Sequence, residues 1–283
     1  MHIGFRIWSL LLLLIILHPI RIYAQEVEDE REFDYIKGSR KGPLKWGELH
    51  KEWYACNNGK MQSPIDLSNK RVDIIHKSNK LARSYKPCIA IIANRGHDIA
   101  VHWESNAGSI EINGTVFSLI QAHWHSPSEH TINGRRYSLE LHMVHKTTDP
   151  TSKHKIAVIG VLYKIGKPNP FLTKLIPNIT SLVKEDKEHG HPGVIDPREI
   201  QMSCRRYYNY IGSLTVPPCT EGVVWTISKK VRTVSLDQVK LLRDAVHDAT
   251  CTKKFKTTAA KSSQRHPVDW SMRKQLRAIS DFE

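Results

Sequence analysis

The chain has no apolar run long enough to cross a bilayer. A membrane-spanning helix needs about 20 apolar residues, whereas the longest apolar run, IWSLLLLLIIL at residues 7–17, has eleven. The sequence also lacks internal repeats, low-complexity blocks and a Pro/Gly-rich linker. We therefore expect a mature chain without a membrane span that folds as one domain. Its 283 residues, 40% of them hydrophobic, are enough to bury a large core.

Signatures of nucleic-acid binding are missing as well, although the formal net charge is +14. The positive residues are scattered rather than grouped, and the sequence contains no recognition helix, RNA-binding motif or basic-aromatic stripe. A nucleic-acid partner would rest on charge alone. We interpret the charge as a solvated basic surface and expect no nucleic-acid partner.

The short apolar run has the length of a signal-peptide core. It follows a weakly positive start at His2 and Arg6, and the small residue Ala24 lies a few positions after its end. We predict a signal peptide at residues 1–24, cleavage after Ala24, and a product of the secretory pathway that reaches the extracellular space or apoplast.

Cysteines are few and odd in number: Cys56, Cys88, Cys204, Cys219 and Cys251. In an oxidising compartment cysteines form disulfides, and an odd number leaves at least one unpaired or paired between chains. Two sequons, Asn113-Gly-Thr and Asn178-Ile-Thr, are candidate glycosylation sites in the same compartment.

Short apolar runs separated by turn residues recur from residue 88 onward, which predicts one large, mostly antiparallel sheet. The runs include CIAIIAN, HDIAVHW, SIEIN, TVFSLIQAHWH, SLELHMVHK, KIAVIGVLYKIG and GVVWTIS. Two helices are expected, a weak one in PFLTKLIPN and a better one in SLDQVKLLRDAVHD, where Ser235 and Gln238 form a capping box. The fold class is therefore mainly β (α+β), a twisted sheet with a few peripheral helices.

The alternation of a strand places His123, His125 and Gln121 on one face of the run that ends at residue 125. In the next long run Glu140 and His142 share a face, and a turn at Asn133-Gly134 makes the two strands plausible antiparallel neighbours. Three imidazoles on one sheet face make a zinc site with an open fourth position. Gln121 and Glu140 can accept the other ring N–H of a ligand. The alternative is that these are ordinary core or surface histidines.

A second histidine pair, His189 and His191 in HGHPG, also has a spacing of two. Its glycines and proline predict a loop with no rigid face, and no third ligand is evident nearby. We expect no metal there.

Seven motifs in one order carry a resemblance to a known family: QSPIDL at 62–67, NRGH at 94–97, HWH at 123–125, SEHT at 128–131, ELHMVH at 140–145, GSLTVPPC at 212–219 and VVW at 223–225. Together they resemble the α-class carbonic anhydrases over residues 33–248. The short SPSEHTINGRR segment is similar to secreted plant members, nectar proteins and tuber storage proteins included. The resemblance implies zinc-dependent, reversible hydration of carbon dioxide to bicarbonate and a proton.

The resemblance also implies roles at single positions. It matches His123, His125 and His142 to zinc ligands, His97 to a proton shuttle, and Glu129 with Thr215 to the pair that orients the attacking hydroxide. It matches Cys56 and Cys219 to a disulfide of extracellular members. An apolar wall for carbon dioxide is implied at Val144, Val158, Leu214, Val216, Val223 and Trp225, with Val216 standing where many members have a second threonine.

The chain departs from the family pattern after about residue 249. We divide it into a signal peptide (1–24), a carbonic anhydrase domain (25–249) and a divergent tail (250–283). The tail lacks the family's Asn-x-Arg-Pro-x-Gln segment and shows no β-alternation, so we expect no closing strand, an uncovered sheet edge, and lower stability and activity than with the family ending. Two alternatives stay open: a storage or nectar protein with weak activity, and a plastid location reached through the secretory route.

Overall fold

A computed structural model describes residues 32–36, 38–69, 73–75, 81–202, 206–246 and 277–280, with the backbone alone at 73–75 and 277–280. The predicted signal peptide, Cys204, Cys251 and most of the tail lie outside these residues. The helices are α1 (Trp46–Leu49), α2 (Ala55–Asn58), α3 (Pro170–Glu185) and α4 (Leu236–Ala245), and 3-10 turns lie at Lys51–Trp53 and Pro197–Ile200. No helix in this part of the chain is long and apolar enough to cross a membrane.

Sixteen strands lie in the described ranges: β1 (Asp66–Leu67), β2 (Asp73–Ile75), β3 (Ala82–Arg83), β4 (Cys88–Asn94), β5 (Ile99–Trp103), β6 (Ser109–Ile112), β7 (Thr115–His125), β8 (Thr131–Ile132), β9 (Arg135–Arg136), β10 (Leu139–Lys146), β11 (Ile156–Ile165), β12 (His189–Ile195), β13 (Arg206–Ser213), β14 (Glu221–Ser228), β15 (Arg232–Val234) and β16 (Arg277–Ser280). Thirteen form one large sheet whose main path is β12-β4-β5-β7-β10-β11-β14-β13-β16-β2. Strands β1, β8 and β9 form a small second sheet.

Most neighbouring strands of the large sheet are antiparallel, as predicted. The parallel pairs are β11 with β14, β11 with β15, and β16 with β2. The prediction of a mainly β, single-domain fold with a few helices is confirmed.

Asn-Gly pairs close two of the hairpins. Asn113 and Gly114 join β6 to β7, and Asn133 and Gly134 join β8 to β9, all four with positive φ. Such two-residue turns need φ above zero at both positions, which Asn and Gly tolerate best. The turn predicted at 133–134 is confirmed, although it closes the small sheet rather than linking β7 directly to β10.

Both predicted helices form. Ser235 and Gln238 make the capping box of α4. Helix α3 begins after the N-cap Asn169 and runs to Glu185, several residues beyond the predicted segment and through Pro177. Its buried residues recur at helical spacing and pack with the sheet into the main core, which stabilises the extra turns; they are Phe171, Leu172, Leu175, Ile179 and Leu182.

The structure corrects two predictions. The HGHPG segment is the edge strand β12 rather than a loop, because an irregularity between Gly190 and Gly193 accommodates Pro192, and an edge position tolerates its missing N–H. His189 and His191 are both exposed there. The tail does supply a strand: β16 pairs antiparallel with β13 and covers the edge that we expected to be open.

Candidate metal centre and its surroundings

The register of β7 and β10 brings the three predicted histidines together. His142 lies directly opposite His123, and Glu140 lies opposite His125. The ring centroids are 4.8 Å apart for His123 and His125, 5.2 Å for His123 and His142, and 4.6 Å for His125 and His142. One nitrogen from each ring lies within 4.8 Å of the other two. All three side chains are nearly enclosed.

Each predicted acceptor holds one ring nitrogen. Gln121 Oε1 accepts a hydrogen bond from His123 Nδ1 at 2.8 Å. Glu140 Oε1 accepts one from His142 Nε2 at 2.9 Å. These contacts fix the tautomers and leave His123 Nε2 and His142 Nδ1 as the nitrogens that keep a lone pair.

A buried hydrogen-bond chain behind Glu140 includes residues to which the sequence analysis gave no role. Glu140 Oε2 accepts from the backbone N–H of Glu129 and of His130, both at 2.8 Å. His130 Nδ1 lies 2.7 Å from Glu140 Oε1, and its Nε2 lies 2.6 Å from the Tyr210 hydroxyl, which in turn contacts Ser63 Oγ at 2.8 Å. His130 was visible in SEHT, but no spacing rule links it to Tyr210, 80 residues later.

Burial sets the protonation of this cluster. Desolvation lowers the pKa of His123 well below its usual value, although the nearby Asp98 carboxylate acts in the opposite direction. Desolvation also lowers the pKa of His125. Glu140 is buried, which alone would raise its pKa, yet His130 and His142 hold that pKa well below the ordinary value. The His123 and His125 rings are therefore neutral near pH 7, the form that binds metal.

Glu129 and Thr215 meet at the same centre. Thr215 donates a hydrogen bond to the Glu129 carboxylate. Glu129 Oε2 lies 3.6 Å from His125 Nε2 and 4.0 Å from His142 Nδ1. Burial raises the pKa of Glu129, partly offset by His125 and by the Thr215 hydrogen bond.

The donor set fits a zinc ion. His125 Nε2 and Glu129 Oε2 are buried and have no hydrogen-bond partner among the described residues. Buried polar atoms are normally paired, so orphaned atoms at one point need an explanation. Three neutral imidazoles are a common ligand set of catalytic zinc, and a fourth position would remain open.

His97 lies in the hairpin loop between β4 and β5. Its side chain is 3% exposed, and its ring packs against Phe33 with centroids 5.2 Å apart. Strand β5 follows the loop and places Ala100 opposite His123, so the loop ends next to the histidine cluster.

Five of the six predicted wall residues lie in one apolar cluster. Val144, Val158 and Trp225 are consecutive cross-strand partners on β10, β11 and β14. Leu214 and Val223 belong to the same cluster. Val216 lies elsewhere, in a cluster with the N-terminal aromatic residues and Cys56. The Trp225 ring lies 4.8 Å from the ring of His142, so the apolar wall adjoins the histidines.

A disulfide ties the Thr215 loop to the N-terminal segment. Cys56 and Cys219 are bonded, with Cα atoms 5.0 Å apart and a separation of 163 positions in sequence. The Ser63 backbone N–H donates to Ser213 Oγ at 2.8 Å, and Gln62 Nε2 donates to the Cys219 carbonyl at 3.2 Å. Cys88 is a buried free thiol.

A three-histidine centre on a large, mostly antiparallel sheet, next to a buried Thr-Glu pair, defines the class of protein. The eukaryotic-type carbonic anhydrase family model matches residues 41–276, and the chain belongs to this family. Members of this family depend on zinc in general. The match extends beyond the predicted boundary at residue 249.

Individual relatives agree with this assignment. The chain is 58% identical over 240 residues to carbonic anhydrase Nec1 of Nesocodon mauritianus, covering 85% of this chain and 86% of that protein. It is 53% identical over 223 residues to alpha carbonic anhydrase 4 of Arabidopsis thaliana, covering 79% and 80%. The crystal structure of dioscorin complexed with ascorbate superposes with a TM-score of 0.80 at 38% identity, covering 89% of this chain and 99% of dioscorin.

Proposed function

We propose that this protein is an active, zinc-dependent carbonic anhydrase that interconverts carbon dioxide and bicarbonate. The observation that carries the proposal is the orphaned, buried His125 Nε2 beside two histidines whose other nitrogens are already held by Gln121 and Glu140. His123 Nε2, His125 Nε2 and His142 Nδ1 would hold the metal. When bound, zinc lowers the pKa of a water molecule from 15.7 to about 7 and so supplies a nucleophile at neutral pH.

The Thr215–Glu129 pair orients that nucleophile. The Thr215 hydroxyl has one proton, which it donates in a hydrogen bond to the Glu129 carboxylate. The oxygen of Thr215 is then committed as an acceptor for the attacking group, whose lone pair can face the substrate carbon. The Thr215–Glu129 pair therefore supports a reaction that depends on the orientation of the attacking group and needs no charged side chain to bind the substrate.

The substrate side is apolar. Val144, Val158, Leu214, Val223 and Trp225 form a buried apolar surface beside the histidines, which suits a small apolar molecule such as carbon dioxide. We place Val216 at the edge of this surface, since it packs in the neighbouring cluster. His97 relays the released proton to buffer, because an imidazole can take up and release protons near neutral pH.

The test is zinc content and carbon dioxide hydration, measured by metal analysis and stopped flow. The wild-type chain should hold one zinc and hydrate carbon dioxide. His142→Ala should lose both, whereas His189→Ala, which removes an exposed histidine on β12, should retain both. A His142→Ala protein with full zinc content and a normal rate would refute the ligand assignment.

The same assay separates the proposal from its alternative, a storage or nectar protein that keeps the fold. That alternative predicts wild-type protein with correct folding and zinc but negligible hydration. Complete ligands together with the Thr215–Glu129 pair favour activity.

We also propose that the protein enters the secretory pathway and reaches the extracellular space or apoplast. The Cys56–Cys219 bond supports this, since disulfides persist in oxidising compartments. Asn113 lies exposed in a hairpin turn, whereas Asn178 lies within α3, so glycosylation is better supported at Asn113. Mass spectrometry of protein purified from a plant secretory host would test the cleavage after Ala24 and both sequons.

A further inference from the structure

The chain contains three Asn-Gly pairs: Asn58-Gly59, Asn113-Gly114 and Asn133-Gly134. Such a pair can modify itself, because glycine has no Cβ to shield its backbone nitrogen, which can attack the side-chain amide of the preceding asparagine. The attack requires the backbone at the asparagine to rotate until the glycine nitrogen faces Cγ. Hydrogen bonds that hold the amide or the glycine N–H oppose this rotation and therefore slow the reaction.

The Asn133-Gly134 pair is held at both reacting groups. Asn133 Oδ1 accepts from the Asn69 backbone N–H at 2.9 Å, and the Gly134 N–H donates to Asp66 Oδ1 at 2.8 Å. The Tyr208 hydroxyl in turn donates to Asn69 Oδ1 at 2.6 Å, which ties this turn to the large sheet. Rotation at Asn133 therefore has to break two hydrogen bonds.

The Asn58-Gly59 pair is also held at both groups, at the end of α2. Asn58 Nδ2 donates to the Tyr54 carbonyl at 3.2 Å, and the Gly59 N–H donates to the Ala55 carbonyl at 2.8 Å. Gly59 is closely packed as well, since a Cβ there would clash with the Gln62 side chain. This pair is therefore restrained in the same way.

The Asn113-Gly114 pair is open. Both residues are exposed at the tip of the β6–β7 hairpin, with φ of 50° and 79°. Within the part of the chain that the structure describes, neither the Asn113 side chain nor the Gly114 N–H has a hydrogen-bond partner. A Cβ at Gly114 would meet no atom within 4 Å. The reacting groups of this pair are therefore the least restrained of the three.

We propose that Asn113 is a site of spontaneous succinimide formation, which a glycan on the same side chain blocks. The Gly114 nitrogen bonds to Asn113 Cγ, the Cγ–Nδ2 bond breaks, and Nδ2 leaves as ammonia with the proton of the glycine nitrogen. Water then opens the ring at Cγ to give aspartate, or at the main-chain carbonyl carbon to give isoaspartate. Either product adds one negative charge at the hairpin tip and removes the sequon.

The glycan acts on the same nitrogen that the reaction expels. A sugar on Nδ2 replaces ammonia with a bulky glycosylamine as the leaving group and crowds the open side of the turn. A glycosylated Asn113 therefore stays intact, and only the bare side chain changes with time. This part of the inference rests on the proposed secretory route and glycosylation at Asn113, whereas the reaction of the bare side chain does not.

The first test compares the three pairs within one molecule. The wild-type chain, made with its disulfide in an oxidising bacterial host that adds no glycan, is incubated at mildly alkaline pH and analysed by peptide mapping. Aspartate and isoaspartate should accumulate at residue 113 roughly 5- to 150-fold faster than at residue 58 or 133, the factor that two ordinary hydrogen bonds represent. Equal rates at the three positions, or no product at residue 113, overturn the proposal without any variant having to fold.

The second test removes one restraint. Asp66→Ala takes away the acceptor of the Gly134 N–H and should raise the rate at residue 133 by roughly 2- to 12-fold, the factor of one hydrogen bond. The rate at residue 113 should stay as in wild type, which excludes general unfolding as the cause. Asn113→Gln is the matched control and should lose the principal acidic species in isoelectric focusing. An unchanged rate at residue 133 in folded Asp66→Ala contradicts the restraint.

Glycosylated wild-type protein from a plant secretory host tests the protective role. Peptides that carry the glycan at Asn113 should be recovered unchanged over the time in which the bare peptide converts. Their loss at the rate of the bare peptide overturns that role. Protein without any glycan at Asn113 would refute the proposed glycosylation, and the three pairs of that same protein would still decide whether residue 113 is the reactive one. Neither readout depends on zinc or on carbon dioxide hydration, so failure of the proposed activity is a separate result.

Discussion

At the scale of a single residue, Glu140 fixes the orientation of His142 in the histidine centre. Its two oxygens accept four hydrogen bonds, from His142, His130 and two backbone N–H groups, in a site with no solvent exposure. Glu140→Gln keeps the shape but replaces one acceptor oxygen with a donor. Since loss of a partner to a ligating histidine typically costs about 10- to 100-fold in metal affinity or activity, we expect a zinc affinity lower by that factor in competition with a chelator. An unchanged affinity would mean that Glu140 only supports the fold.

His145 gives a prediction about pH and stability. It is fully buried between Tyr85 Oη, 2.8 Å from Nε2, and the Ala157 carbonyl, 3.3 Å from Nδ1. Burial lowers its pKa from 6.5 to about 3, with hydrogen bonds to backbone carbonyls acting in the opposite direction. Between pH 6.5 and about 3, His145 is protonated in the unfolded chain but neutral in the folded chain. The free energy of unfolding therefore falls as the pH drops from 6.5 toward 3.

The measurement is the free energy of unfolding of zinc-free protein at pH 7 and pH 5. His145 should contribute a loss of about 2 kcal/mol over this interval, since each pKa unit corresponds to about 1.36 kcal/mol. His145→Gln removes the titrating group and should be less stable at pH 7 but show a shallower dependence on pH. Parallel pH profiles for the two proteins would contradict the assignment.

At the scale of elements, Gly160 allows β11 to pass beside the centre. It lies opposite His142 on one side and opposite Ile227 on the other. A Cβ at this position would lie 2.4 Å from Ile227 Cδ1 and 3.4 Å from Glu140 Oε1. Ile227 is fully buried, so it has little room to move.

Gly160→Ala should therefore lower the free energy of unfolding by about 1–3 kcal/mol, the usual cost of overpacking a closed core. Gly190→Ala is the matched control, because a Cβ there would meet only the Leu182 side chain, at 3.3 Å or more. Denaturant unfolding of the two variants compares them directly. Equal stability would show that β14 yields and that the core at Ile227 is less tightly packed than its burial indicates.

Elements were predictable where one local rule decided them. Alternation placed His123 and His125 on one face, and Asn-Gly marked the 133–134 hairpin, because both signals lie within a few residues. The position of His142 opposite them needed the further inference that its strand pairs with β7, which the structure confirms. Strands β12 and β16 were missed, since their pairing with β4 and β13 depends on partners far away in sequence. The hydrogen-bond chain from Glu140 to Tyr210 was missed for the same reason.

Because β16 covers β13, the expected loss of stability from an open edge is no longer supported there. A lower activity than with the family ending stays a prediction, which a graft of that ending onto residues 1–248 would test.

At the scale of the whole molecule, the Cys56–Cys219 bond joins the N-terminal segment to the loop that presents Thr215. It encloses most of the sheet, including β4, β7, β10 and β11. A loop of 163 residues closed by a disulfide loses chain entropy in the unfolded state worth about 5 kcal/mol by a model-dependent relation. The contribution is therefore one of global stability rather than of local chemistry.

The double variant Cys56→Ala/Cys219→Ala separates these two effects. The hydrogen bonds from Ser63 to Ser213 and from Gln62 to residue 219 still hold the Thr215 loop. We therefore expect the free energy of unfolding to fall by up to about 5 kcal/mol, while hydration at 25 °C in the folded fraction stays close to wild type. Cys88→Ala removes a buried thiol outside any disulfide and should have a much smaller effect on stability. If the double variant instead keeps its stability but loses turnover, the bond acts by positioning Thr215, and the entropic account of its role is wrong.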